Sequence, residues 1–372
     1  MLLISVCSLA IFLLLLFGLA TQEKEPMLSE GFPDSNKYFI NKHIFNIFFV
    51  ILAFVSTMRH AFIDTYAYKD IYYLCRNYDY VNNSNLHDME DGWYYLNYFL
   101  NQISSSPKMI MGLVAIVIIF AYVLLIRKYS VDPLFSLLLF FFLQFMDTNN
   151  GMRQMLAAGL AMIGYTFAMK RTWSGYLIFI GFVIFGMQFH ESVKLVFLIW
   201  LLVIGDPFNW KMKITLIIGV VFTVIPNAFR SLLGDLLEDS RYDYYLDYTN
   251  GMGFMRAFIV GIVPLVLTFV YLTKYKNAAV FDRVEAILIN LTIINSVFVF
   301  MGLTTQFWAR LTFYTAFAPM IMIPKYINIV FSTKSRQLIK SVAIMLYFIF
   351  FAYNIYVNID YGAMKDFYFS LD

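Results

Sequence analysis

Charge is scarce in this sequence. Only 14% of its 372 residues are Asp, Glu, Lys or Arg, where a soluble domain carries roughly 25%. A water-soluble globule is excluded. Cysteine is rarer still, with Cys7 in an apolar run and Cys75 in a polar stretch, so no internal disulfide is expected and the redox compartment stays open. The formal net charge of +3 is too small to mark a nucleic-acid binder, and no basic run with interleaved aromatics supplies an alternative footprint. P-loop, GxSxG and Gly-rich dinucleotide patterns are missing, as is any metal-ligand spacing. His60, His87 and nearby acids could be assembled into a metal site, but nothing in their spacing favours one. No metal and no cofactor is expected. There is no internal repeat, low-complexity tract or soluble domain.

What the chain has in abundance is apolar sequence. Hydrophobic residues make up 61%, aromatics 19%, and mean hydropathy is +0.69. Many Tyr and Trp flank the apolar runs, where an amphipathic ring sits between hydrocarbon and water. Measured against a bilayer of roughly 30 Å, the runs give twelve candidate spans. They lie at 2–20, 44–58, 109–126, 133–146, 152–169, 175–189, 192–204, 214–229, 255–273, 284–303, 309–324 and 338–356. The stretch 175–204 is too long for one crossing, and His190-Glu191 interrupts it, so it divides there. The expected fold is all-α, a polytopic membrane protein of about twelve helices forming a single transmembrane domain over 1–372.

Alternate loops differ in charge. The odd-numbered loops hold 16 Lys and Arg against 11 on the even side, while 16 of the 24 acids lie on the even side. By the positive-inside rule the odd loops are cytoplasmic. Both termini then face outward, with the long loops 59–108 and 230–253. A second reading takes residues 2–20 as a signal peptide, because Gly18-Leu19-Ala20 resembles a cleavage site, although the preceding residues carry no positive charge.

Four polar residues fall at the outer membrane edge: Arg59, Arg153, His190 and Arg310. A guanidinium is permanently charged and forms bidentate contacts with phosphate oxygens, so several on one face suit a lipid diphosphate. The competing reading is that each arginine snorkels to the interface. His190 is either a satisfied buried histidine or a proton-transfer group. Around Asp88, Glu90 and Asp91 a surface helix is expected to begin, with acids at its N-terminal end and Leu96, Phe99 and Leu100 on one face. Those carboxylates cap the helix or take a sugar hydroxyl proton. The run Asp239 to Tyr248 offers the same chemistry or is a solvated loop.

Taken in order, these residues resemble a family. Met58-Arg59 with Asp64 and Tyr68, Glu90 and Gly92 before a Tyr-rich helix, Met152-Arg153-Gln154 with Ala157, Phe189-His190-Glu191-Ser192, and Arg310 with Tyr314 and Pro319 are similar to the EpsG-like branch of the Wzy-type polysaccharide polymerases. The likeness spans 40–325. One departure is Phe62-Ile63 where the family pattern usually has Gly shortly before the acid matching Asp64.

The resemblance implies a GT-C-like glycosyltransferase in the bacterial inner membrane with its active face outward. It would join undecaprenyl-diphosphate-linked oligosaccharide repeat units into capsule, exopolysaccharide or O-antigen, alongside a chain-length-regulating membrane protein. On this reading Arg59, Arg153 and Arg310 bind diphosphate, while Tyr68, Gln154 and Tyr314 bind substrate. His190, Asp64 or Glu90 takes the acceptor proton, and no metal takes part. A glycan ligase using the same donor, and a transporter of the lipid-linked unit, are the alternatives. A transporter should show inverted repeats and midplane polar groups.

Overall fold

The computed structural model describes residues 10–26 in part, and 36–77, 89–225, 253–274 and 281–360. The loop 230–253, with the Asp239 to Tyr248 run, falls almost wholly outside these residues, as do His87 and Asp88. The architecture is all-α apart from a short two-stranded ribbon, β1 (Glu23–Pro26) with β2 (Asn36–Phe39).

Helices overlap every apolar run from 44–58 onward. They are α1 (Lys42–Met58), α2 (Thr65–Asn77), α3 (Asp91–Ile103), α4 (Lys108–Tyr129), α5 (Pro133–Leu143), α6 (Met152–Ala168) and α7 (Trp173–Met187). Then follow α8 (Leu195–Val203), α9 (Trp210–Val224), α10 (Phe254–Lys274), α11 (Arg283–Met301), α12 (Gln306–Leu311), α13 (Phe317–Val330) and α14 (Thr333–Asp360). Among the described residues four helices are long and apolar enough to cross a membrane: α4, α10, α11 and α14 over Thr333–Val357. Helices α1, α5, α7 and α13 are apolar but shorter. At 22 residues α4 spans about 33 Å, and Arg127 and Lys128 sit in its last turn, where a cation complements the helix dipole.

Polar caps set the helix starts. Asp132 accepts from Phe135 N at 3.2 Å to open α5, and Thr172 accepts from Gly175 N at 3.0 Å to open α7. The outward faces remain apolar: Leu177, Ile184 and Phe185 on α7, and Ile217, Val220 and Val224 on α9, are all exposed. Such surfaces match hydrocarbon rather than water.

The chain divides into two compact units, one built around Lys37–Val196 with Ile339–Asp372, the other around Phe197–Leu338. In the first, α1 packs on α4, α4 on α6 and α6 on α7. Small residues make the α4–α6 contact close: a Cβ on Gly159 would lie 3.1 Å from Ile118 Cα. Lys340 of α14 forms an ion pair with Asp132 in this unit. In the second, α11 packs on α9 and α13, and buried Asn290 holds the turn after α8. Its Nδ2 donates to Val203 O at 3.0 Å and its Oδ1 accepts from Phe208 N at 3.0 Å.

One expected span is divided. The apolar pattern predicts a continuous span over 309–324 with Arg310 at its start, but Arg310 lies near the end of α12. A turn at Thr312–Tyr314 separates it from α13. Hydroxyls compete here for helical carbonyls: Thr312 Oγ1 donates to Ala309 O at 2.5 Å and Thr315 Oγ1 to Thr312 O at 3.4 Å, while Thr315 Oγ1 also donates to the side-chain oxygen Asn295 Oδ1 at 3.0 Å.

Candidate functional site

Helix α1 stops at Arg59, whose extended backbone ends the helical pattern. The side chain turns into the protein. Arg59 is 2% exposed, and its guanidinium donates to Ser56 O at the end of α1 and to Asn149 O at 3.1 Å. A cation suits the carbonyl end of a helix, and this one also ties α1 to the turn ahead of α6. Burial pushes Arg59 down to about 10, opposed by Asp64, so it stays charged at neutral pH.

Beyond Arg59 the chain makes a tight turn at the departure from the family pattern. Ile63 takes φ 49, a left-handed conformation that is an outlier for a β-branched residue. Thr65 closes the turn: its Oγ1 accepts from Phe62 N at 3.0 Å and donates to Phe62 O at 2.7 Å. The turn presents Asp64, whose Oδ2 accepts from Gly151 N at 2.8 Å. Gly151, with φ 63, is the residue before α6 and offers no side-chain cap of its own. Asp64 therefore places an anion at the N-terminus of α6.

Helix α3 begins as expected from the sequence, after Glu90 and with Asp91 in its first turn. It docks on the break at the end of α7. Trp93 N donates to Gln188 O at 3.1 Å, and a Cβ on Gly92 would meet Gln188 O at 2.6 Å, so only glycine permits the approach. Helix α2, not anticipated as a separate element, packs on α3. There Tyr72 Oη donates to Ser104 O at 2.7 Å, and Tyr68 stands edge-to-face on Trp93 with centroids 5.7 Å apart.

Glu90 joins three segments. Its Oε2 accepts from Arg153 Nη1 at 2.8 Å and its Oε1 accepts from Glu191 N at 3.0 Å. The Tyr68 phenol is pushed up to about 12 by burial and by Asp64, against the lowering effect of nearby Arg153; at neutral pH it is un-ionised. The Arg153 side chain is 25% exposed and that of Glu90 9%. His190 lies at the break between α7 and the turn Glu191–Lys194, as the sequence suggested, with Ser192 Oγ 2.8 Å from its Nδ1. Gln154 Nε2 donates to that same Oγ at 3.4 Å.

The first unit thus assembles Arg59, Asp64, Tyr68, Glu90, Arg153, Gln154 and His190. Arg310 and Tyr314 belong to the second unit; Arg310 is half-buried and Tyr314 fully buried. Sequence reasoning did not assign roles to Asn149, Gly151, Gln188 or Ser192. The first two adjoin Arg153, and Ser192 lies two residues after His190, so proximity to the charged residues was the available signal. The far end of α6 is occupied differently: Lys128 Nζ donates to Thr166 O at 3.2 Å, about 20 Å from Arg153 at 1.5 Å per helical residue. No group of three or more His, Cys, Asp or Glu that could hold a metal occurs among the described residues.

Four helices long and apolar enough to cross a membrane, with an ionic cluster gathered at the ends of shorter helices, define a membrane protein with a polar site. The family model described as the EpsG family matches residues 42–369, and the chain belongs to that family, one of Wzy-like polysaccharide polymerases and glycosyltransferases. No curated protein and no solved structure matches the chain.

Proposed function

We propose that this protein is a GT-C-like membrane glycosyltransferase of about twelve spans that polymerises undecaprenyl-diphosphate-linked oligosaccharide repeat units into a surface polysaccharide. The observation that carries the reading is the cluster of two arginines, two carboxylates and a histidine, with Arg59, Arg153 and His190 at the ends of α1, α6 and α7, Asp64 in the turn before α2 and Glu90 at the start of α3. A lipid-linked diphosphate sugar places its tails in hydrocarbon, its charge at headgroup level and its sugars in water. Charge of both signs at the ends of apolar helices suits that order. Family membership supports polysaccharide biosynthesis at a membrane.

In the reaction we propose, the acceptor sugar hydroxyl forms a bond to the anomeric carbon of the donor. The bond from that carbon to the diphosphate breaks, and the leaving lipid diphosphate keeps the electron pair. Arg153, the more exposed guanidinium, contacts the diphosphate and stabilises its developing charge, while buried Arg59 adds positive potential behind it. Arg310 grips the second carrier. Tyr68, Gln154 and Tyr314 contact substrate, and Asp64, Glu90 or His190 accepts the hydroxyl proton. No metal is required. The active face is outward from the inner membrane, where a chain-length-regulating membrane protein is the expected partner.

Reconstitution tests the activity. Purified protein in liposomes with undecaprenyl-diphosphate-linked repeat units should yield a ladder of longer lipid-linked glycans. Unchanged single units, with the protein inserted and folded, would remove polymerisation as its activity.

A further inference from the structure

Helix α3 is amphipathic in an inverted sense. Its outward face carries Tyr95, Phe99 and Ile103, all exposed, while Trp93, Asn97 and Asn101 are buried. An outward apolar face suits the acyl boundary of a membrane, and polar groups turned inward need partners. The three buried residues recur every four positions, so they form one row along the helix, about 12 Å from Trp93 to Asn101 at 1.5 Å per residue. The row starts at the ionic cluster. Trp93 follows Gly92, which is seated against Gln188, and lies three residues beyond Glu90, the partner of Arg153. On the other side α2 walls the row in: Tyr68 stands on the Trp93 ring, and Tyr72 O accepts from Asn101 Nδ2.

Each of the three side chains leaves one polar atom over. Asn97 Nδ2 donates to Trp93 O at 2.7 Å and Asn101 Nδ2 to Tyr72 O, which fixes both amide orientations. Among the described residues nothing pairs with Asn97 Oδ1, Asn101 Oδ1 or Trp93 Nε1, and all three atoms are buried. Unmet buried polar atoms weigh against the closed contact of α2 with α3. Their chemistry selects the ligand. Two acceptors and one donor do not suit a diphosphate, whose oxygens accept, but they suit sugar hydroxyls, which both donate and accept. We propose that this row is a glycan subsite: Trp93 Nε1, Asn97 Oδ1 and Asn101 Oδ1 bind hydroxyls of the repeat unit, and α2 lifts from α3 to admit them. The inference rests on the glycosyl-transfer reading and divides the substrate, with the diphosphate on the arginines and the sugars leading away along α3.

Binding to the full-length protein in nanodiscs tests this with two probes, undecaprenyl diphosphate carrying one repeat unit and undecaprenyl diphosphate alone. The wild type should hold the sugar-bearing lipid at least about tenfold more tightly. Trp93→Phe keeps the ring and removes only the N–H, and Asn97→Leu replaces the amide by an apolar group of similar size. Each should cut the preference about three- to tenfold and leave affinity for the bare lipid unchanged. Replacing an unpaired buried polar group by an apolar one is otherwise neutral or stabilising, so unchanged affinity for both lipids in both variants overturns the proposal. Equal losses for the two lipids overturn it too, because the damage would then not involve the sugars. Movement of α2 is read by a bis-maleimide tether between Tyr72→Cys and Ser104→Cys, with Cys7→Ser and Cys75→Ser removing the native thiols and the untethered protein as control. The tether should lower binding of the sugar-bearing lipid to that of the bare one; full preference in the tethered protein overturns the lifting of α2. A sugar preference that is lost in the variants, found in a protein that makes no polymer, would support the subsite and count against the polymerisation reading alone.

Discussion

Arg153 of α6 donates from Nη1 to Glu90 Oε2 at 2.8 Å, across 63 residues of sequence, and the same carboxylate holds Glu191 N. One side chain thus fixes both a guanidinium and the break that carries His190. If Arg153 merely anchored a helix end, lysine would replace it well, since both side chains reach the interface. A planar fork that meets both Glu90 and a diphosphate is lost in lysine. Arg153→Lys is predicted to insert normally and to lose roughly 30- to 1000-fold in polymerisation rate, from about 2–4 kcal/mol of transition-state stabilisation. Lys128→Arg and Arg171→Lys should leave the rate unchanged. Initial rates on a lipid-linked repeat unit in isolated membranes decide it. Near-normal rates for Arg153→Lys would restore the anchoring role.

Asp64 and Gly151 make the second prediction, on stability. Asp64→Ala removes the acceptor at the start of α6 and should lower stability by about 1–2 kcal/mol. Gly151→Ala meets no neighbouring atom within 4 Å, so its expected loss of about 1 kcal/mol comes from the left-handed backbone alone. Ile63→Gly acts in the opposite direction. It relieves about 1–2 kcal/mol of left-handed strain against about 0.5–1 kcal/mol of added chain entropy, and Ile63 is half exposed, so little burial is lost. Thermal unfolding in detergent should order the variants with Ile63→Gly at or above wild type. Ile63→Gly melting well below it would show that the turn does not strain Ile63.

Much of this site was legible in the sequence, for definite reasons. The His190 break showed because a polar pair interrupts an uninterrupted apolar run, and α3 showed because acids precede apolar residues at helical spacing. The Glu90–Arg153 pair did not, since nothing local couples residues so far apart. Helix α2 was missed because Thr65–Asn77 is too polar to register as a span. The division of α12 from α13 depends on threonine hydroxyls choosing carbonyls and a buried Asn295, a tertiary choice invisible in an apolar run. Arg59 was placed correctly at a helix end, yet its inward turn follows from the Asn149 carbonyl contributed by another segment.

Gly92 supplies a packing test. A Cβ there would overlap Gln188 O and Cβ, both fixed by the end of α7. Gly92→Ala should push α3 off the His190 turn, with an overpacking loss of about 1–3 kcal/mol and a fall in polymerisation. Protease sensitivity of the 59–108 loop measures the release. Wild-type sensitivity and activity in Gly92→Ala would contradict the docking.

Sidedness is tested by thiol labelling. Cys75 is a buried free thiol pushed up to about 12 by burial, so it should contribute little background to an impermeant maleimide. Asp70→Cys, on an exposed position of α2, should label on intact cells, whereas Asn277→Cys should label only after permeabilisation. Labelling of Asn277→Cys from outside would invert the topology.

The central claim is that this chain polymerises, and the lipid-linked glycans that accumulate when its gene is deleted address that most directly. With donor synthesis and export intact, the account predicts single repeat units on the lipid carrier, extended to polymer again by the wild-type protein and not by Arg153→Lys. Full-length polymer on the carrier after deletion would contradict it, because the missing step would then be transfer of finished chains to a final acceptor.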